Sequence, residues 1–125
     1  STPATGGNGC NGGYFNSAFD YAKNSGVGRA IMYPYDAKAQ LGINSPCNAL
    51  ILDNNQYKNS KTFIPSSAYI PSGDCASLVN QLKSGVVAVS INAQLGLQFY
   101  ANGTYNPATG VPNHGVTLVG YDPIN

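Results

Sequence analysis

An α+β fold is what the sequence predicts, on three observations. Two apolar, β-branched runs, VVAVSINA (residues 86–93) and HGVTLVGYD (residues 114–122), read as strands. Two other stretches space their apolar residues at helical intervals, and each is followed by glycine. The resulting order is helix, long connection, strand, helix, strand, strand, without the regular alternation of a doubly wound sheet.

Taken in order, the chain begins with turn formers, GGNGCNGG (residues 6–13), too glycine-rich for regular structure. YFNSAFDYAKNSG (residues 14–26) then places Phe15, Ala18, Phe19 and Ala22 at helical spacing, with Gly26 as the C-cap. Residues 27–60 carry Pro, Gly and Asn too often for a long element and read as an irregular connection pinned by Tyr33, Tyr35 and Cys47. KTFIPSSAYI (residues 61–70) alternates well enough for a short strand, limited or kept at an edge by Pro65. SGDCASLVNQLKSG (residues 72–85) predicts a second helix, capped by Ser72 or Asp74, with Leu78, Val79 and Leu82 as its buried stripe and Gly85 as its stop. VVAVSINA is mostly apolar, which predicts a strand covered on both faces. LGLQFYANG (residues 95–103) predicts a helical turn or two before an Asn-Gly turn, and HGVTLVGYD the last strand.

Composition narrows the function classes. Charged residues make up 9% of the chain, against roughly 25% in an average soluble domain. A net charge of +1 without a basic cluster leaves no electrostatic footprint for nucleic acid or an anionic membrane. No apolar run approaches the roughly 20 residues that span a bilayer. The opening STPATGGNG has neither the charged nor the apolar region of a signal peptide. Three cysteines, Cys10, Cys47 and Cys75, are an odd number, so at least one thiol is free or pairs outside the chain. The sequon Asn102-Gly103-Thr104 lies among turn formers, where a glycan can be attached in a secretory compartment. Together these features tilt the expected setting toward an extracytosolic one.

His114 is the single histidine of the chain. A lone histidine is more often structural than catalytic. This one sits where a polar loop enters an apolar strand, which holds an imidazole at a cleft edge, and Gly115 leaves room for a neighbour. Cys10 precedes a helix, whose positive dipole end favours a thiolate; the plainer reading is a disulfide cysteine anchoring a glycine turn. Cys47, in NSPCN, looks like another bridge terminus, and Cys75 in the first turn of the second helix is buried, bridged or free. There is no Cys-x-x-Cys pair or histidine cluster for zinc or haem, and no strand–glycine–helix run for a nucleotide, so no metal and no cofactor are expected. A Gly-x-Ser-x-Gly elbow for serine hydrolysis is missing too.

In collinear order, GCNGGY (residues 9–14), YPYDA (residues 33–37), VVAVSINA followed by FYANGTY (residues 99–105), and NHGVTLVGYD (residues 113–122) make the chain resemble the papain-like cysteine peptidases. The resemblance implies an incomplete papain-like fold: about 1–60 as helix and irregular connection of the helical, left-hand domain, and about 61–125 as the β-rich domain carrying the histidine. In that family a thiolate attacks the scissile carbonyl, a histidine shuttles the proton and an asparagine orients the histidine. His114 is thereby assigned the acid/base role. Gly12 and Gly13 present backbone to an extended peptide, and Tyr14 walls the side before the cut. Ser90 and Gly115 line the pocket for the residue two before the cut, and Asn113 offers a carbonyl beside the scissile bond. A polar Ser90 departs from the usual apolar wall.

The same comparison exposes what the sequence does not hold. The family's Gln-x-x-x-Cys-Gly-Ser-Cys-Trp segment, with the nucleophile and the oxyanion glutamine, has no counterpart here, and neither has its Asn-Ser-Trp-Gly strand. Cys10 and Cys47 match family disulfide cysteines whose partners fall outside the chain. The expected protein is a cysteine endopeptidase acting on peptides or proteins, secreted or lysosomal/vacuolar, represented by a stretch inactive by itself and completed by further segments or another chain. The alternative is a catalytically dead domain of the same family with a binding or structural role in an extracellular assembly; a self-contained Cys10–His114 dyad is a remote third. No nucleic acid or membrane partner is expected.

Overall fold

The computed structural model describes residues 7–106 and 110–123; the opening STPATG lies outside them. The chain forms two compact units, Ser1–Tyr69 and Ile70–Asn125.

In the first unit a short 3-10 turn, Gly9–Asn11, leads into α1 (Phe15–Ser25). Gly26 ends α1 as expected, with φ +69. A Cβ there would also come within 2.8 Å of the Phe63 ring, so glycine is required for conformation and for space. Lys61 Nζ donates to Ser25 O at 2.8 Å, which satisfies a carbonyl at the negative end of the helix. Of the predicted apolar stripe, Phe15 and Ala22 are half-buried, but Ala18 and Phe19 are exposed. The Gly26 contact with Phe63 and the Lys61–Ser25 bond both lie at its C-terminal end.

Residues 27–60 are less irregular than the sequence suggests. Three single-turn helices, α2 (Ala37–Gln40), α3 (Ala49–Leu52) and α4 (Asn55–Asn59), are each started by an Asx side chain. Asp36 accepts from Ala39 N, Asn48 from Leu50 N and Ile51 N, and Asn54 from Gln56 N and Tyr57 N. Side-chain capping of first-turn amides makes turns of this length possible between Pro and Gly. Tyr33 pins the segment as predicted, its Oη accepting from Asn48 N at 2.9 Å. Tyr35 bonds only locally, to Ala39 O, and Cys47 is exposed.

The centre of this unit is Tyr57, 5% exposed. Its ring meets Tyr33 at 6.0 Å between centroids, lies 5.5 Å beneath Lys61 Nζ and packs so closely on Gly28 that a Cβ there would overlap it. Partial burial, and then the neighbouring Tyr57, Cys47 and Tyr33, push the Tyr21 phenol above its ordinary value. The strand expected over residues 61–70 reduces to one bridge, Val27 to Thr62. Pro65 lacks the donor needed to extend the ladder.

The second unit opens with α5 (Cys75–Leu82). Of the two candidate caps, Asp74 is the one used: it accepts from Ser77 N at 2.9 Å and from Ser77 Oγ at 2.7 Å. Those bonds hold its carboxyl below the usual range. Leu78, Val79 and Leu82 are half-buried, and α5 lies against β1 (Val87–Ile91). β1 pairs antiparallel with β2 (His114–Leu118) in the register Val87↔Leu118, Val89↔Val116, Ile91↔His114. Double coverage of β1 is not observed: Val87, Ala88, Val89 and Ile91 are half-buried and Ser90 is exposed, since one helix is all that packs on the strand among the described residues. β2 ends at Leu118, short of the predicted VGYD, because its partner strand begins at Val87. Between the strands a single turn, α6 (Leu95–Gln98), forms after Gln94.

Candidate active site

His114 opens β2, and three bonds from the residue before it fix where it stands. Asn113 N donates to Ile91 O at 2.9 Å, carrying the ladder one residue beyond the strand. The Asn113 side chain accepts from Ala93 N at 2.8 Å and donates to Ala93 O at 3.5 Å. An amide side chain clamped to both polar groups of one residue fixes the loop that delivers the imidazole, while leaving Asn113 itself exposed.

Beside the imidazole is an open depression of about 380 Å³, lined by Ala93, Gln94, Leu95, Leu97, Gln98 and His114. Three of these lining residues, Leu95, Leu97 and Gln98, come from α6, and Leu97 N donates to Gln94 O at 2.9 Å. The imidazole is exposed at this rim, as an acid/base group acting on a bound molecule must be. Among the described residues no group of three or more His, Cys, Asp or Glu side chains is placed to hold a metal ion, and no helix is long and apolar enough to cross a membrane.

Alternation along the strands divides the candidate residues by face. His114 shares a face with its partner Ile91 and with the Val89–Val116 pair, while Ser90 and Gly115 are directly paired on the opposite face. Ser90 and Gly115 are both exposed, so that face presents a small, polar-edged surface. Gly12, Gly13 and Tyr14 belong to the first unit. Gly12 has φ +95, its N–H donates to Gly9 O at 3.3 Å and its carbonyl accepts from Asn8 N at 2.7 Å. Tyr14 is the residue before α1 and is 77% exposed. Cys10 lies in the 3-10 turn outside α1, with its N–H on Asn44 Oδ1 at 2.6 Å. All three cysteines are unpaired and exposed.

Sequence reasoning did not single out the depression or the second use of Asn113. The lining residues are ordinary Gln, Leu and Ala. The signal for Asn113 is its position, an Asx immediately before a strand, where its short amide reaches neighbouring backbone.

The structure thus places an exposed histidine at the mouth of a strand pair, beside an open recess. The chain belongs to the papain family of cysteine proteases: the model described as "Papain family cysteine protease" matches residues 2–125. It is 35% identical over 112 residues to cathepsin L 1 of Paramecium tetraurelia, covering 90% of this chain and 31% of that protein. To stem bromelain of Ananas comosus it is 31% identical over 117 residues, covering 92% and 50%. To cathepsin L1 of Drosophila melanogaster it is 34% identical over 125 residues, covering 93% and 30%. The chain thus spans about a third to a half of the length of these relatives. The α+β fold with a small antiparallel sheet is that of a partial papain-like domain.

Proposed function

We propose that these 125 residues are the histidine-bearing part of a papain-like cysteine endopeptidase that hydrolyses peptide bonds in peptides or proteins. The observation that carries the reading is His114, exposed on a recess and held through Asn113, in a chain matched to the family over residues 2–125. His114 takes the proton of a cysteine thiol contributed from outside this stretch and returns it to the leaving amine. Gly12 and Gly13 offer main chain to an extended substrate, Tyr14 supplies an apolar wall, Ser90 and Gly115 border the pocket for the residue two before the cut, and the Asn113 carbonyl accepts from the peptide. What supports these roles is the exposure of each residue.

The full-length protein is expected to cleave unstructured peptide substrates, with loss of activity on thiol alkylation, while residues 1–125 alone show none. One missing member of such a catalytic set costs several orders of magnitude, on the order of 10⁴-fold or more. A folded full-length protein without thiol-dependent hydrolysis would overturn the reading. Turnover by the 125-residue chain that Cys10→Ser abolishes would overturn the role given to Cys10.

Cys10 and Cys47 are assigned to disulfides with cysteines outside residues 1–125, in a secreted or lysosomal/vacuolar protein. Support comes from their exposure, their lack of a partner thiol in the chain and the odd cysteine count. Peptide mapping of the unreduced full-length protein is expected to recover each joined to a peptide from elsewhere; a Cys10–Cys47 bridge would contradict the assignment.

A further inference from the structure

One motif is left unused by peptide hydrolysis. Of fifteen asparagines, Asn102 alone is followed two residues later by Ser or Thr within the chain. We infer that Asn102 is a built N-glycan attachment site, on a turn that the tyrosines of the α6–β2 connection hold outward.

Three contacts brace the turn. Gly103 has φ +83 and closes it, with the Tyr100 hydroxyl donating to Gly103 O at 2.5 Å. Tyr100 and Tyr105 then meet edge to face, 6.0 Å between centroids at 68°. Tyr105 in turn packs over Gly96 of α6, where a Cβ would come 3.3 Å from its hydroxyl. The sequon therefore lies on a cross-braced turn, with Tyr105 half-buried beneath it and Asn102, Gly103 and Thr104 exposed. A glycan added before folding must be tolerated afterwards. A Cβ at Gly103 meets nothing within 4 Å, so the tip opens on solvent. Tyr100, two residues before Asn102 and 47% exposed, offers the first sugar part of a ring face for its C–H groups.

The reaction is a group transfer from a polyprenyl-pyrophosphate-linked oligosaccharide. Asn102 Nδ2 bonds to the anomeric carbon, the bond from that carbon to the pyrophosphate oxygen breaks, the pyrophosphate leaves with its electron pair, and Nδ2 gives one proton to a base of the transferase. The inference rests on the secretory setting of the proposed reading, because the donor is found there.

The test uses the full-length protein, with its native flanking sequence, made in a eukaryotic cell with an intact secretory pathway. After treatment with peptide N-glycosidase, the peptide containing residue 102 is expected to carry aspartate in most molecules. Asn102→Gln and Thr104→Ala should each remove one whole glycan from the intact mass. Unmodified Asn102 in folded protein, or a glycan that survives Thr104→Ala, overturns the inference. Peptidase activity is assayed on the same samples: activity with bare Asn102 sinks this inference alone, and a glycan on an inactive protein sinks the peptidase reading alone.

Discussion

His114→Ala in the full-length protein is expected to lower kcat/KM on a peptide substrate by on the order of 10⁴ to 10⁶-fold, with the fold intact. Acid/base catalysis alone is worth about 10² to 10⁴. On the role proposed for His114, the remainder comes from lost activation of the nucleophile, since removing one member disables the set. His114 is exposed and makes no side-chain hydrogen bond that holds the strand pair together; circular dichroism and melting temperature should therefore stay close to those of the parent. Asn113→Ala acts through the histidine and should give a smaller loss, about fivefold, the value of roughly 1 kcal/mol of net hydrogen bonding. Asn113→Asp keeps the acceptor for Ala93 N and should recover most of that loss. Peptidase activity in His114→Ala within tenfold of the parent would remove this residue from the chemistry.

The second large effect falls on stability. Tyr57→Ala is expected to destabilise the full-length protein by about 3–5 kcal/mol, the range for deleting a buried aromatic ring. Tyr57 is the one buried large side chain among the described residues, and its ring is shared by Tyr33, Lys61 and Gly28. Removing it leaves all three without their common surface. Tyr57→Phe retains the ring and should cost less than about 1 kcal/mol. Urea unfolding of the two variants is the measurement; a Tyr57→Ala midpoint indistinguishable from the parent would show that this cluster does not organise the unit.

Much of this arrangement was written in the residues. VVAVSINA and HGVTLVGYD declare themselves because β-branched apolar runs have few alternatives, and the α5 stripe because Leu78, Val79 and Leu82 repeat at helical spacing. The short turns between residues 27 and 60 were hidden for the opposite reason. A four-residue helix has no periodicity to detect, and Asp36, Asn48 and Asn54 serve equally well in loops until one knows which amides they meet. Tyr57 was invisible as a core residue because its neighbours, Tyr33, Gly28 and Lys61, are far from it in sequence or polar in type. His114 stood out by being alone, whereas the recess beside it, made of Gln, Leu and Ala, carries no chemical signature.

Pairing in β1 and β2 has one more implication. A strand side chain changes faces with every residue, so sliding β2 along β1 by a single position would turn the imidazole away from its recess and bring Gly115 to it. Val89, Val116, Val87 and Leu118 make that slip costly by meeting across the ladder. Aliphatic pairs outside the recess thus decide which way the imidazole points, and on the role proposed for His114, enlarging or trimming them is expected to blunt turnover before it melts the protein.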